Sequence, residues 1–519
     1  MFRCIACTAF LLFSSCAPSS KEVSKRPLRL NLSQDPATLD PRRAADFSSA
    51  SLTFLLYDGL TRSTSDKCFA PALAESIEVS ADRLTYTFKL KKAFWSNHEP
   101  LTAYDFERSW KEVLSPNFPC TNAHLFYPIA GAKEAKQGEK PIDEIGVKAL
   151  DERTFEVRLH QPTPYFLELT AFCAFFPYKE DPTHGRLFSG PYSLKEFRSK
   201  DHIHLTKNTF YWNQEKVQLE RIHFSLVEQA NTVLDMFEKG ELDILISSFT
   251  PIPPEAVPHL QKTHVMQSVE TAGSTILSFN MASGIFKNEK MRQAFILSID
   301  RKEIVENLAS MNEEIATSFL PNLLMGDENK TLNWKVDRER AYQLFLEALE
   351  ELNLSTEELH IRFILSANHS SNFYQAAQVI QEQIRQSLGI TIQLDQLETK
   401  IYFDHLYKHD YDMAGCFIIA QYMDPLAYLD RFVLKTHLRN YPAFEDLTYQ
   451  SLIQSSFFAN SVEERTDLLR KAEKILINSG AILPIYHFRN SFFVSKKIKN
   501  LKTFPQGTLY LDEIEVENE

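Results

Sequence analysis

The chain has 519 residues, enough to bury the cores of two or three domains. Its 56 basic and 68 acidic residues leave a formal charge of −12, which disfavours a nucleic-acid partner on electrostatic grounds. Just 14 glycines stand beside 39 phenylalanines and 19 tyrosines, so loops that close backbone around phosphates are scarce.

At the amino end an apolar run from Ile5 to Phe13 follows Arg3 and falls well short of the roughly 20 residues a membrane-spanning helix needs. It reads as a secretory signal over residues 1–15. Phe13-Ser14-Ser15-Cys16 and the polar tether at 16–27 resemble the lipobox of bacterial lipoproteins, with Phe13 where leucine is usual. The resemblance implies acylation of Cys16; an ordinary cleavage site just before it is the alternative. Cys4 and Cys7 lie in the segment to be removed. Cys68, Cys120, Cys173 and Cys416 are too widely spaced for a zinc site, and an oxidising compartment would allow pairing that the sequence does not specify.

Further along, LRLNLSQDPATLDP predicts a strand feeding a Pro-punctuated loop, and SLTFLLYDGLTR an apolar helix ending near Asp58-Gly59. Leu84, Tyr86, Phe88 and Leu90 alternate with polar residues, which predicts a half-buried strand. Thr102 and Asp105 have capping-box spacing, and Phe106, Trp110 and Val113 then share one helical face. Phe155, Val157 and Leu159 repeat the strand pattern. A helix around Asn231–Lys239, stopped by Gly240, precedes the apolar LDILI, and STILSFNM predicts another strand. Two helical pieces flank Asp300, and a later helix ends at Gly389 before a strand over Ile390–Leu397. IYFDHLYKHDYDMAGCFIIA adds a helix and a strand, and a long amphipathic helix runs into a Pro-marked strand near the carboxyl end. Alternating helices and strands place the chain in the α/β class.

The usual catalytic signatures are missing. No two glycines sit two or four residues apart, which removes the dinucleotide fingerprint and the G-x-S-x-G elbow, and there is no Walker A, H-E-x-x-H or S-x-x-K. His202 and His204 share a face of a predicted strand, and His405 and His409 a face of a predicted helix. Neither pair has an obvious third ligand nearby in sequence, so both are read as solvent-facing or packing histidines. Glu313-Glu314 and Glu463-Glu464 are read as solvated helix faces.

HEPLTAYDFERSWKEVL, with His98 where glycine is usual, resembles the signature of family 5 extracellular solute-binding proteins, the peptide-binding components of ABC importers. LDP at 39–41, LLYDGL at 55–60, SGPYSLKEF at 189–197, KNTFYWN at 207–213, MRQAFILSIDRKEIV at 291–305 and AQYMDPLAYL at 420–429 follow in the family's order. The resemblance implies a type II periplasmic-binding-protein fold with two hinged α/β lobes and an inserted third. Lobe I would comprise 28–60, 184–275 and 484–519, the inserted lobe II 61–183 and lobe III 276–483, with crossings near Thr275 and Pro484. It also implies closure around a ligand with no covalent step and no cofactor or resident metal. The implied partners are an oligopeptide and an ABC permease with separate ATPase subunits, served by an exported, periplasmic, lipid-anchored monomer.

In peptide-binding relatives an extended peptide is held by main-chain hydrogen bonds with its side chains in hydrated pockets. Carried over by position, Asp35, Pro36, Ala37 and Thr38 are expected to approach the ligand from lobe I. Phe417, Ile419, Gln421 and Tyr422 are expected to do so from lobe III. Relatives usually have an acidic residue where this chain has Gln421, and there it pairs with the peptide's α-amino group. Asp424, Asp412 or Asp35 are candidate substitutes, with a structural turn as the plainer reading of Asp424-Pro425. Other candidate functions are binding of a murein peptide, haem or a metal chelate, a secreted hydrolase, and a purely structural surface lipoprotein.

Overall fold

The computed structural model describes residues 26–64, 69–308, 313–326, 331–332, 334–367, 371–503 and 509–517. Cys16, Cys68, the signal segment and all but the last two residues of the tether lie outside them. Among the described residues no helix is long and apolar enough to cross a membrane.

The first strand, Leu28–Asn31, buries Leu28 and Leu30 and pairs in parallel with Arg221–Ser225. Strands His202–Lys207 and Tyr192–Arg198 continue this four-stranded sheet in antiparallel sense. Helix Phe47–Leu56 starts at Asp46, whose carboxylate accepts the Ser49 N–H. It stops at Leu56, short of the predicted Gly59. That glycine provides room instead of a turn, since a Cβ there would stand 2.6 Å from both the Phe176 ring and the Thr170 carbonyl.

Asp58 accepts from Tyr211 Oη at 2.8 Å and Trp212 Nε1 at 2.9 Å, while Asn208 Nδ2 donates to the Gly190 carbonyl at 2.9 Å. LLYDGL, SGPY and KNTFYWN are therefore fastened to one another inside the scaffold.

A second four-stranded sheet runs Ala74–Val79, Thr85–Leu90, Thr154–Arg158, Val147–Asp151, all antiparallel. Helix Ala103–Leu114 covers it, and its Thr102/Asp105 capping box forms as the spacing predicts. Trp110 packs edge-on against Phe155 and Phe175, each at 5.1 Å, and its Nε1 donates to the Phe175 carbonyl at 2.8 Å.

The largest sheet has the order Ile244–Ile246, Ile482–Val494, Val265–Phe279, Met413–Ile419, Arg362–Ser366, Gln393–Leu397, with Glu314–Ile315 added along Ile482–Val494. Two of its members are long, 15 residues for Val265–Phe279 and 13 for Ile482–Val494, and they lie antiparallel. STILSFNM covers the far end of the first; the ladder reaches back to Val265 because Gln267, Ser268 and Glu270 occupy a half-exposed stretch. Register slips between Glu270 and Ser274, where Phe488 lies opposite the extra residues and a Cβ on Gly273 would come within 2.4 Å of its ring. Helices Glu289–Ser298, Arg338–Leu352 and Ser371–Leu388 bury Phe295, Phe345 and Ile380 with Phe363 in the second core.

Candidate functional site

Strand Met413–Ile419 positions the site. Ala420 donates to the Ala272 carbonyl at 2.8 Å, so the even-numbered residues face Val265–Phe279. By the alternation of strand geometry the main chain of Ile419 is directed to the opposite edge. Along that edge the neighbouring strand Arg362–Ser366 pairs at Met413 and Ala414, and the end of the strand runs past it into a cavity of about 560 Å³.

Three parts of the chain wall this cavity. Residues 44–54 contribute Asp46, Phe47 and Phe54, residues 121–172 contribute Asn122 and Phe172, and residues 403–441 contribute Phe417, Ile419, Gln421 and Tyr441. Helix Thr399–Lys408 turns Phe403 and Tyr407 into it, four residues apart on one face, with rings stacked at 5.9 Å. Ile419 and Tyr407 remain 51% and 46% exposed, so large apolar groups stay wet here.

The polar end is built on Gln421. Its Nε2 donates to Asn122 Oδ1 at 2.7 Å, Asn122 Nδ2 donates to the Ala44 carbonyl at 3.2 Å, and Arg439 Nη1 approaches Gln421 Oε1 at 3.5 Å. Arg431 borders both this cavity and an adjoining recess of about 340 Å³. Its Nη2 donates to the Ala427 carbonyl at 3.1 Å and its Nε is buried without a partner. Burial first, and then the charge of Arg439, lowers the Arg431 pKa. Among the described residues neither guanidinium forms an ion pair with a carboxylate; Arg431 and the exposed Asp430 interact only through space. The recess also holds His124 and His437, kept neutral by burial and by these two arginines, at about 3 and about 4. Tyr422 lies in the recess, stacked on Tyr165 at 4.7 Å.

Of the residues singled out in the sequence, Phe417, Ile419 and Gln421 meet in the cavity and Tyr422 beside it. Asp35, Pro36, Ala37 and Thr38 lie outside the lining of both spaces. The Asp35 carboxylate is held by Ser199 Oγ and by the Lys200 N–H at 3.0 Å, so its loop folds back on a hairpin turn, and residues 44–54 supply the wall. The acids that could replace an amine anchor are occupied too. Asp424 forms a two-point ion pair with Arg465 at 2.7 and 2.9 Å and accepts the Leu426 N–H, which makes Asp424-Pro425 a structural turn. Asp412 accepts the Arg362 N–H. Phe403, Tyr407, Arg431 and Arg439 were not singled out. An aromatic pair four residues apart on a polar helix is the signal that marks the first two.

The sequence matches the family described as bacterial extracellular solute-binding proteins, family 5 Middle, over residues 69–440. It is 31% identical to the oligopeptide-binding protein OppA of Bacillus subtilis (strain 168), across 94% of this chain and 92% of that one. The chain belongs to family 5 of the bacterial extracellular solute-binding proteins. It is also 26% identical to the periplasmic murein peptide-binding protein MppA of Escherichia coli (strain K12), over 95% of each chain. The substrate-binding domain of an oligopeptide ABC transporter from Bacillus anthracis superposes with a TM-score of 0.80 at 26% identity, covering 95% of this chain and 98% of that one. The fold is thus the type II periplasmic-binding-protein fold, as the resemblance implied.

Family 5 proteins are binding receptors, and the Ser–His contact found here fits that role. Ser274 Oγ lies 2.8 Å from His487 Nδ1, but Ser274 is fully buried, His487 is pushed down to about 4, and His487 Nε2 is buried without a partner. A triad needs an acid at that position and a path for substrate to the hydroxyl. The His405/His409 pair separates. His409 ends its helix in the left-handed conformation and bonds to the Tyr441 carbonyl, while His405 turns to Asp410. The thiols of Cys120, Cys173 and Cys416 are free, and burial raises the last two to about 12.

These shifts set an acid-sensitivity. His124, His437 and His487 stay neutral in the fold well below their ordinary 6.5, so below pH 6.5 unfolding takes up protons and stability falls toward pH 4. Glu168 opposes them. Burial raises it to about 7, so acidification between 7 and 4.5 favours the fold by one proton. Burial also lowers His204, His223 and His264, so the balance stays with proton uptake on unfolding, each net proton being worth about 1.4 kcal/mol per pH unit. The urea midpoint should drop markedly between pH 6.5 and 5; a flat or rising profile contradicts this assignment.

Proposed function

We propose that the chain is a lipid-anchored extracytoplasmic receptor that captures oligopeptides in the 560 Å³ cavity and passes them to an ABC permease with its own ATPase subunits. Acylated Cys16 would hold a single copy at the membrane. The observation that carries this reading is the end of strand Met413–Ile419 presenting its edge to a cavity with aromatic walls. An extended peptide can add there as a strand, its side chains resting on Phe47, Phe403 and Tyr407. The Bacillus subtilis and Escherichia coli relatives, an oligopeptide-binding and a murein peptide-binding protein, support the ligand class.

Gln421, Arg431 and Arg439 refine the choice of peptide. A peptide ammonium brought beside two guanidiniums meets repulsion, whereas a carboxylate supplies the missing counter-charge. The preferred cargo is therefore a peptide that directs its carboxyl end, or an acidic side chain, to this corner. A murein-type peptide, rich in carboxylates, is the second reading on the same observation.

Native mass spectrometry of the purified mature protein tests the proposal. A heterogeneous set of short co-purifying peptides enriched in acidic residues is the expected result. A single non-peptide mass would overturn the peptide reading, and peptides with no acidic bias would overturn the refinement.

A further inference from the structure

On the four-stranded sheet that holds Leu28–Asn31, away from the cavity, two adjacent strands bring a carboxylate and two imidazoles together. His202 and His204 project from the same face of strand His202–Lys207 with rings stacked at 4.2 Å. Glu196 lies directly across from His204 on strand Tyr192–Arg198. Regular pairing would have placed Lys195 there. The register shift between Leu194 and Glu196 moves the lysine aside and sets the carboxylate opposite the imidazole.

Glu196 Oε1 lies 3.5 Å from His202 Nε2, and Glu196 Oε2 lies 3.5 Å from His204 Nδ1. All three ligand atoms fall within 4.8 Å of one another. Metal bonds of about 2.1 Å set tetrahedral donors about 3.4 Å apart, so the carboxylate–imidazole spacing already suits one ion. His202 Nε2, the atom turned to Glu196, is buried and lacks a hydrogen-bond partner, which is a cost until something binds it. His202 Nδ1 is turned to Asp201 Oδ2 at 3.1 Å, the carboxylate–histidine arrangement that orients an imidazole toward a metal.

We infer that Glu196, His202 and His204 form a binding site for a divalent transition-metal ion of the zinc class. Two imidazoles and one carboxylate select zinc-like ions over calcium or magnesium and leave a fourth position for water or an outside donor. Arg198 now sits 3.6 Å from Glu196 and 3.4 Å from Asp201 and would swing into solvent on binding, being 66% exposed. His223 meets His204 edge-on at 4.3 Å and supports its ring from a third strand.

Zinc chloride titrated into the purified full-length mature protein by calorimetry tests this. One ion per chain should bind, with affinity weakened about 100-fold in His204→Asn and in Glu196→Gln, and unchanged in His405→Asn. Cobalt(II) should give the intense visible absorption of a tetrahedral site, absent in His204→Asn. Circular dichroism checks that the variants fold, which their surface positions favour. Absence of saturable one-to-one binding, or equal binding by wild type and His204→Asn, would overturn the assignment. Because the readout is metal and not peptide, the peptide-receptor proposal stands or falls separately.

Discussion

Replacing Arg431 with methionine should stabilise the ligand-free protein by about 1–3 kcal/mol and at the same time weaken peptide binding on the order of 100-fold. The opposite signs have one cause. Arg431 is 9% exposed, spends one donor on the Ala427 carbonyl at 3.1 Å and leaves Nε without a partner. Holding that charge dry without a carboxylate is costly, and an apolar side chain of similar length removes the cost. A ligand carboxylate would otherwise repay it through charge-assisted hydrogen bonds. Denaturation of ligand-stripped protein gives the first sign, and titration with a peptide bearing a free carboxyl gives the second. Loss of both stability and affinity would mean that Arg431 is a structural strut.

Asp424→Asn should behave in the reverse way, losing about 3–5 kcal/mol of stability while the folded fraction binds peptide as before. The substitution leaves Arg465 buried without its two-point partner, beside the stacked Tyr165 and Tyr422. Urea unfolding reads the loss, and affinity measured well below the midpoint reads the second quantity. The double variant Asp424→Leu, Arg465→Met should recover most of the loss, because removing both charges leaves none uncompensated. A large fall in affinity for free-amino peptides in Asp424→Asn, at unchanged stability, would instead return Asp424 to the role of amine anchor.

Much of the scaffold was legible because its signals are local. The Thr102/Asp105 box, the alternation through Tyr86 and Phe88, and Gly389 at φ 72° following helix Ser371–Leu388 each depend on neighbours within a few residues. The site was legible in part. Ile419 and Gln421 follow by position from the family motif around them. Arg431 did not stand out, because a buried guanidinium without an ion-pair partner is recognised by what fails to surround it, and that is a property of packing. The third member of the His202/His204 group was hidden for a related reason. Glu196 reaches that face through a register shift on a neighbouring strand, and no spacing within one strand encodes it.

The pair of long strands has an effect on when the molecule can take shape. Ile244–Ile246 finds its sheet partner in Phe492–Val494, and the Gln218 N–H and Arg62 both depend on Asp512. Strand Ile244–Ile246 and the segments around Gln218 and Arg62 thus lack these partners until the last few dozen residues arrive. A chain threaded head-first through a narrow translocation pore would stay pliable for nearly its whole passage, and would set into its final form once its tail had cleared.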